Sequence, residues 1–202
     1  MSALLEVREV SKSFGGVQAV NKVSVDVNQG DLLSVIGPNG AGKTTLLNMI
    51  SGFYHPDSGR ITLGGSDVTH IPPFQVAERG VARTFQNIAL FRGMSVLDNI
   101  MTGRNLKMRT SFIEQALWWG RARREELDNR RKVEEVIDFL EIQHIRKTPV
   151  GRLPYGLQKR VELARALAAE PSLLLLDEPM AGMNVEEKQD MCRFVLDVND
   201  EF

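Results

Sequence analysis

The sequence predicts an α/β fold with a mostly parallel sheet, an N-terminal antiparallel β part and an inserted α-helical subdomain. Three observations carry that expectation. The glycine-rich stretch GPNGAGKT, from Gly37 to Thr44, stands between the apolar run Leu32–Ile36 and the helix-like run Thr45–Ile50. A second apolar run, Leu173–Leu176, is apolar on both faces, as a central parallel strand should be, and ends in Asp177-Glu178-Pro179. Between these two, from Ser95 to about Thr148, β patterning gives way to helical patterning.

Along the chain, Leu4–Val10 reads as an early strand, and Val23–Val27 alternates strictly, as a half-exposed antiparallel strand does. Ser13-Phe14-Gly15-Gly16 between them suits a tight turn, and an aromatic ring there can stack on a purine or pack in a core. After the glycine loop, Gly52 is a natural helix terminator and Pro56–Gly59 a turn. Arg60–Leu63 makes a short strand ended by Gly64-Gly65. Pro73–Arg79 is a short helix stopped by Gly80, and Val81–Phe85 a strand leading to Gln86-Asn87. In the middle region Val133, Val136, Ile137 and Leu140 fall at i, i+3, i+4 and i+7, one apolar helix face. Arg121–Lys132 holds six basic and three acidic residues, and a solvated helix surface explains that run better than a membrane-headgroup or partner-binding role. Trp118-Trp119 is a candidate interface. Gln158–Ala169 carries Val161, Ala164, Leu167 and Ala168 at helical spacing, and a last helix from about Val185 aligns Met191, Phe194, Val195 and Val198. The domain reading is an α/β core from 1–94 and 158–202, with a helical subdomain at 95–157.

Composition narrows the function. The 202 residues suit one domain or a core plus a subdomain. A net charge of −1 argues against a general nucleic-acid binder, so no nucleic-acid partner is expected. The single Cys192 cannot pair internally, and it is expected to be packed on its helix. With no signal peptide, a reducing, intracellular compartment follows. His55, His70 and His144 lack ligand spacing. No apolar run reaches the roughly 18 residues needed to span a bilayer, so any membrane link goes through a partner.

The chemistry lies in the glycine loop and the acidic strand end. Gly37-x-x-x-x-Gly42-Lys43-Thr44 fits the P-loop pattern in its strand–loop–helix setting. Such a loop wraps a phosphate chain in backbone N–H groups, aided by the helix N-terminus. The contacts would come from Gly37, Pro38, Asn39, Gly40, Ala41, Gly42, Lys43, Thr44 and Thr45. Lys43 would reach the β- and γ-phosphates and Thr44 would offer its hydroxyl to Mg²⁺. Asp177, at the end of an apolar strand, would hold the same metal. Glu178 beside it is placed to polarise the attacking water, a role that contributes roughly 10²–10⁴ in rate. The expectation is therefore a site for a nucleotide's phosphate chain and Mg²⁺.

GPNGAGKT, the Gln86 strand end, LPYGLQKRVELARAL from Leu153 and LLLLDEP from Leu173 together resemble the nucleotide-binding subunits of ATP-binding cassette (ABC) transporters. The YG-type signature, RTFQN and the turn Ala181–Asn184 look most like the ATPase subunits of branched-chain amino acid importers. The resemblance implies a P-loop NTPase core and a set of roles. Phe14 resembles the aromatic that stacks on adenine, and Gln86 the glutamine that senses Mg²⁺ and the γ-phosphate. Glu178 resembles the catalytic glutamate, and Gly156 belongs to the signature that completes the ATP site of an opposite protomer. The implied partners are a second copy or a homologous ATPase in a head-to-tail dimer, transmembrane permease subunits and, indirectly, a solute-binding protein. The implied place is the cytoplasmic face of the inner membrane, peripheral through the permease. Two departures stand out. Pro154 and Leu157 occupy signature positions where the family usually has serine and glutamine. The chain also ends before the strand that bears the family's switch histidine, so poor turnover despite ATP binding is expected of this piece. The alternatives are an ATP-binding module with little hydrolysis, or an importer ATPase for another small polar solute such as an amide or urea. ABC-type ATPases of chromosomes interrupt the cassette with coiled coils or zinc-binding cysteines, and neither is present here.

Overall fold

The computed structural model describes residues 3–86, 88–107 and 121–201. Trp118-Trp119 and Asn87 lie outside the described residues. The chain divides into two compact units, Met1–Val81 with Asp197–Phe202, and Ala82–Leu196.

In the first unit, β1 (Leu5–Phe14), β2 (Val17–Val27), β3 (Ser58–Leu63) and β4 (Ser66–Asp67) form an antiparallel sheet in the order β2-β1-β3-β4. Gly15 and Gly16, at φ 51° and 87°, turn the chain so that Phe14 faces Val17 across the ladder. The inner face buries Leu5, Val7, Val10, Ile61 and Leu63. Each such side chain contributes about 1.5–3 kcal/mol by leaving water. Register shifts in β1 between Val7 and Val10 and beyond let Gly59 approach the Arg8 and Glu9 carbonyls too closely for any side chain. Helix α1 (Lys43–Ile50) follows the glycine loop and ends at Ser51, with Gly52 at φ 77°. Helix α2 (Pro73–Glu78) carries proline in its first turn, where no N–H is needed, and stops before Gly80 at φ 93°.

One expectation fails in this unit. Leu32–Ile36 forms no ladder with any described strand, and its apolar side chains face solvent, Ile36 at 91% exposure. An apolar run becomes a central strand only where neighbours supply hydrogen-bond partners on its edges. None of the described strands supplies them here.

β5 (Val81–Arg83), all but its first residue in the second unit, and β6 (Leu173–Leu175) form a parallel sheet, extended by the Thr84 N–H donating to Leu175 O at 3.0 Å. Helix α3 (Val96–Met101) is capped by Ser95, whose side chain accepts from the Asp98 N–H. Helices α4 (Arg121–Phe139), α5 (Tyr155–Ala168) and α6 (Val185–Glu201) complete the unit, and α3 packs on α4 and α5. Val133, Val136, Ile137 and Leu140 are all buried, as their spacing predicts. Arg124, Arg130, Arg131 and Lys132 are exposed, in keeping with a solvated surface. Cys192 is exposed rather than packed, because the buried stripe of α6 runs through Met191 and Phe194 and leaves position 192 outside.

A buried cation holds the helices together. Arg104 donates to Asn129 Oδ1 at 2.9 Å, to Ala168 O at 2.8 Å and to Glu170 Oε2 at 2.7 Å. The hydrogen bond from Arg104 holds the Glu170 carboxyl below its usual range, with Arg104, Lys132 and Lys107 adding favourable charge.

Candidate active site

The first unit carries the glycine loop. Residues 37–41 are exposed. Gly40 and Gly42 take φ values of 82° and 84°, a left-handed backbone that side chains disfavour. Gly42 caps α1, its carbonyl accepting from the Leu46 N–H at 2.9 Å. A side chain at Gly42 would collide with Ala19 O of β2, so glycine is dictated here by space as well as by φ. Lys43 begins the helix and bends back over the loop, its Nζ donating to Gly37 O and Pro38 O at 2.8 Å each. Those carbonyl partners keep an ammonium at the loop mouth. Thr44, exposed, and Thr45, half-buried, follow in the first turn of α1. An exposed glycine loop with a lysine and two hydroxyls at a helix start fits a phosphate chain and its cation. Phe14 lies at the tip of the β1–β2 hairpin, 42% exposed and edge-on to Tyr54 with ring centroids 5.2 Å apart.

The second unit carries the acidic strand end. Asp177 is buried, and Arg83 donates to its Oδ2 at 2.9 Å with both side chains nearly inaccessible. Glu178 is exposed and adopts φ 47°. That conformation costs a non-glycine residue on the order of 1–3 kcal/mol and tends to persist where function uses it. Gln86 Nε2 donates to Glu178 Oε2 at 3.0 Å, so the loop after β5 and the loop after β6 bring the two expected catalytic side chains together. A carboxylate held by an amide at an exposed strand end can take a proton from water or orient it.

The signature segment differs from expectation at its start. Helix α5 begins at Tyr155, three residues before Gln158, with Pro154 as its N-cap. Gly156 is therefore buried in the first turn, and the Glu187 carboxylate of α6 lies where a side chain at 156 would go. Glu187 is fixed there by a reciprocal cap: Asn184 N–H donates to Glu187 Oε2 at 3.0 Å and Glu187 N–H to Asn184 Oδ1 at 2.9 Å. The turn Ala181–Asn184 packs against Tyr155 through Gly182 at φ 76°.

Similarity to known proteins decides the family. A family profile described as ABC transporter matches residues 20–181. The chain belongs to the ABC transporter family. It is similar to the high-affinity branched-chain amino acid transport ATP-binding protein LivG of Salmonella typhimurium, at 38% identity over 96% of this chain and 76% of LivG. It is also similar to the corresponding protein BraF of Pseudomonas aeruginosa, at 37% identity over 93% of this chain and 74% of BraF. Among solved structures, the ADP conformation of MJ1267, an ATP-binding cassette of an ABC transporter, matches with a TM-score of 0.84 and 32% identity. That match covers all of this chain and 78% of MJ1267. The protein is thus a nucleotide-binding ABC ATPase with a P-loop NTPase fold.

Sequence reasoning missed several residues of this ABC ATPase. Arg83 was visible only within RTFQN, and its pairing with Asp177 joins β5 to the segment just past β6. Lys159 and Glu162, which lie outside the apolar spacing of Val161, Ala164, Leu167 and Ala168, are nevertheless buried. The available signal was Glu162 lying between Val161 and Leu163, both buried.

Proposed function

We propose that the protein is the ATP-hydrolysing subunit of an importer for branched-chain amino acids. The observation that carries the catalytic part is the Gln86–Glu178 hydrogen bond at the tip of the β6 strand, in a chain that also bears a complete P-loop. Gly37 to Thr45 hold the triphosphate, with Lys43 on its terminal phosphates. Thr44, Asp177 and Gln86 are the residues that would hold Mg²⁺, which when bound would supply charge neutralisation at the phosphates. Arg83, beside Asp177, fixes the carboxylate's orientation. Glu178 accepts a proton from the attacking water, and Gln86 keeps Glu178 aimed. Phe14 stacks on the adenine.

Gly156 and the start of α5 complete the nucleotide site of a second copy or a homologous ATPase in a head-to-tail dimer. The helical subdomain meets the permease. A cleft of about 330 Å³ between α3 and α4, lined by Met94, Leu97 and Met101 together with Asp98, Glu126 and Arg130, offers a seat of mixed apolar and charged character. Among the described residues no helix is long and apolar enough to cross a membrane, and the protein reaches the inner membrane through that permease. The amino acid cargo follows the 38% identity to LivG. Membrane vesicles that hold the assembled importer test it. ATP inside should drive leucine, isoleucine or valine uptake, and Glu178→Gln should abolish that uptake. Uptake of an amide or urea in place of these amino acids would reassign the cargo.

A further inference from the structure

The main chain beside Gln86 is gripped by one ridge of α5. Lys159, Glu162 and Arg165 follow at three-residue spacing, so their side chains leave the helix on one side. Lys159 Nζ donates to Phe85 O at 2.9 Å and to Gln86 O at 3.0 Å, and lies 3.1 Å from Glu162 Oε2. Its three protons thus meet three acceptors. Glu162 Oε1 accepts from the Phe85 N–H at 3.2 Å, and Arg165 Nη1 donates to Ala89 O at 2.6 Å. The Lys159 and Glu162 side chains are 2% and 1% exposed.

A buried ion pair is a poor choice where only stability is needed, because a well-packed apolar pair often does as well or better. An apolar pair cannot hold the carbonyls and N–H of an irregular loop. Phe85 and Gln86 lie just past the end of β5, and their main-chain groups take these partners from α5. The Gln86 side chain, on the same short segment, reaches Glu178.

We propose that Lys159 and Glu162 are positioning residues for hydrolysis: they clamp the main chain at Phe85 and Gln86 so that Gln86 Nε2 stays within reach of Glu178 Oε2. The same clamp ties Gln86 to the helix that starts at Tyr155, so a shift of α5 is felt at Gln86. This assignment rests on the reading of Gln86 and Glu178 as the catalytic pair.

Single-turnover ATP hydrolysis by the full chain, with ATP affinity and melting temperature measured alongside, tests it. Lys159→Met should slow hydrolysis at least about tenfold while ATP affinity stays within about threefold, since a misplacement on the order of 1 Å can cost ~10² in rate. The pair Lys159→Met with Glu162→Leu should recover melting temperature without recovering rate. In a Gln86→Ala background, Lys159→Met should cost less than about twofold more, because both changes act through one side chain. A wild-type rate in the apolar pair, or a full additional loss on top of Gln86→Ala, overturns the assignment. Should Gln86→Ala and Glu178→Gln themselves leave the rate unchanged, the catalytic reading fails and the clamp with it. A normal effect of those two with no effect of Lys159→Met sinks the clamp alone.

Discussion

Glu178→Gln is expected to lower ATP turnover by about 10²–10⁴ while ATP remains bound. Such a loss corresponds to roughly 3–5 kcal/mol on the barrier at about 1.4 kcal/mol per tenfold. The substitution keeps size and shape, and a glutamine oxygen can still accept the hydrogen bond that Gln86 Nε2 now gives to Glu178 Oε2 at 3.0 Å. Only the ability to take a proton is removed, so the effect isolates base chemistry from geometry. With the chemical step stalled, ATP should accumulate in a closed dimer. Size-exclusion chromatography in Mg·ATP should then shift the variant, but not the wild type, to twice the monomer mass. A rate within threefold of wild type would remove Glu178 from the mechanism and leave its φ of 47° without a functional reason.

Lys43→Ala is expected to weaken ATP binding by about 10- to 100-fold, the loss of one charge-assisted hydrogen bond at about 1.5–3 kcal/mol. In the structure Lys43 spends its donors on Gly37 O and Pro38 O, both at the surface of the loop. Water can replace it on those carbonyls, so the fold should be little affected and the melting temperature nearly unchanged. Phosphate oxygens packed into the loop have no such substitute. Titration with a fluorescent ATP analogue reads the difference, and an affinity within threefold of wild type would show that the loop has been misassigned.

Much of the site was legible because its residues act near one another in sequence. The P-loop needs glycines at fixed spacing before lysine and threonine, and Asp177-Glu178 ends an apolar run. Gln86 stood out through family resemblance alone, and its partner Glu178 became visible only when two loops were brought together. Features that depend on distant partners were not legible. Leu32–Ile36 has the composition of a buried strand, yet a strand is defined by its neighbours, and among the described strands it has none. Helix α5 starts at Tyr155, earlier than its apolar pattern suggests, and the need for glycine at 156 comes from the Glu187 carboxylate of another helix, which leaves no room for a side chain there. Lys159 and Glu162 carry no functional signal in the sequence, because their partners at Phe85 and Gln86 lie more than 70 residues away.

The central claim of the proposed function is that Asp177 makes ATP binding by this chain dependent on Mg²⁺. The most direct test is the ATP affinity of wild type and Asp177→Asn, each measured with Mg²⁺ and with a chelator. The account predicts that Mg²⁺ tightens ATP binding to the wild type, that Asp177→Asn loses this gain, and that the two proteins bind metal-free ATP alike within about threefold. An Asp177→Asn protein that keeps the full Mg²⁺ gain would contradict the account.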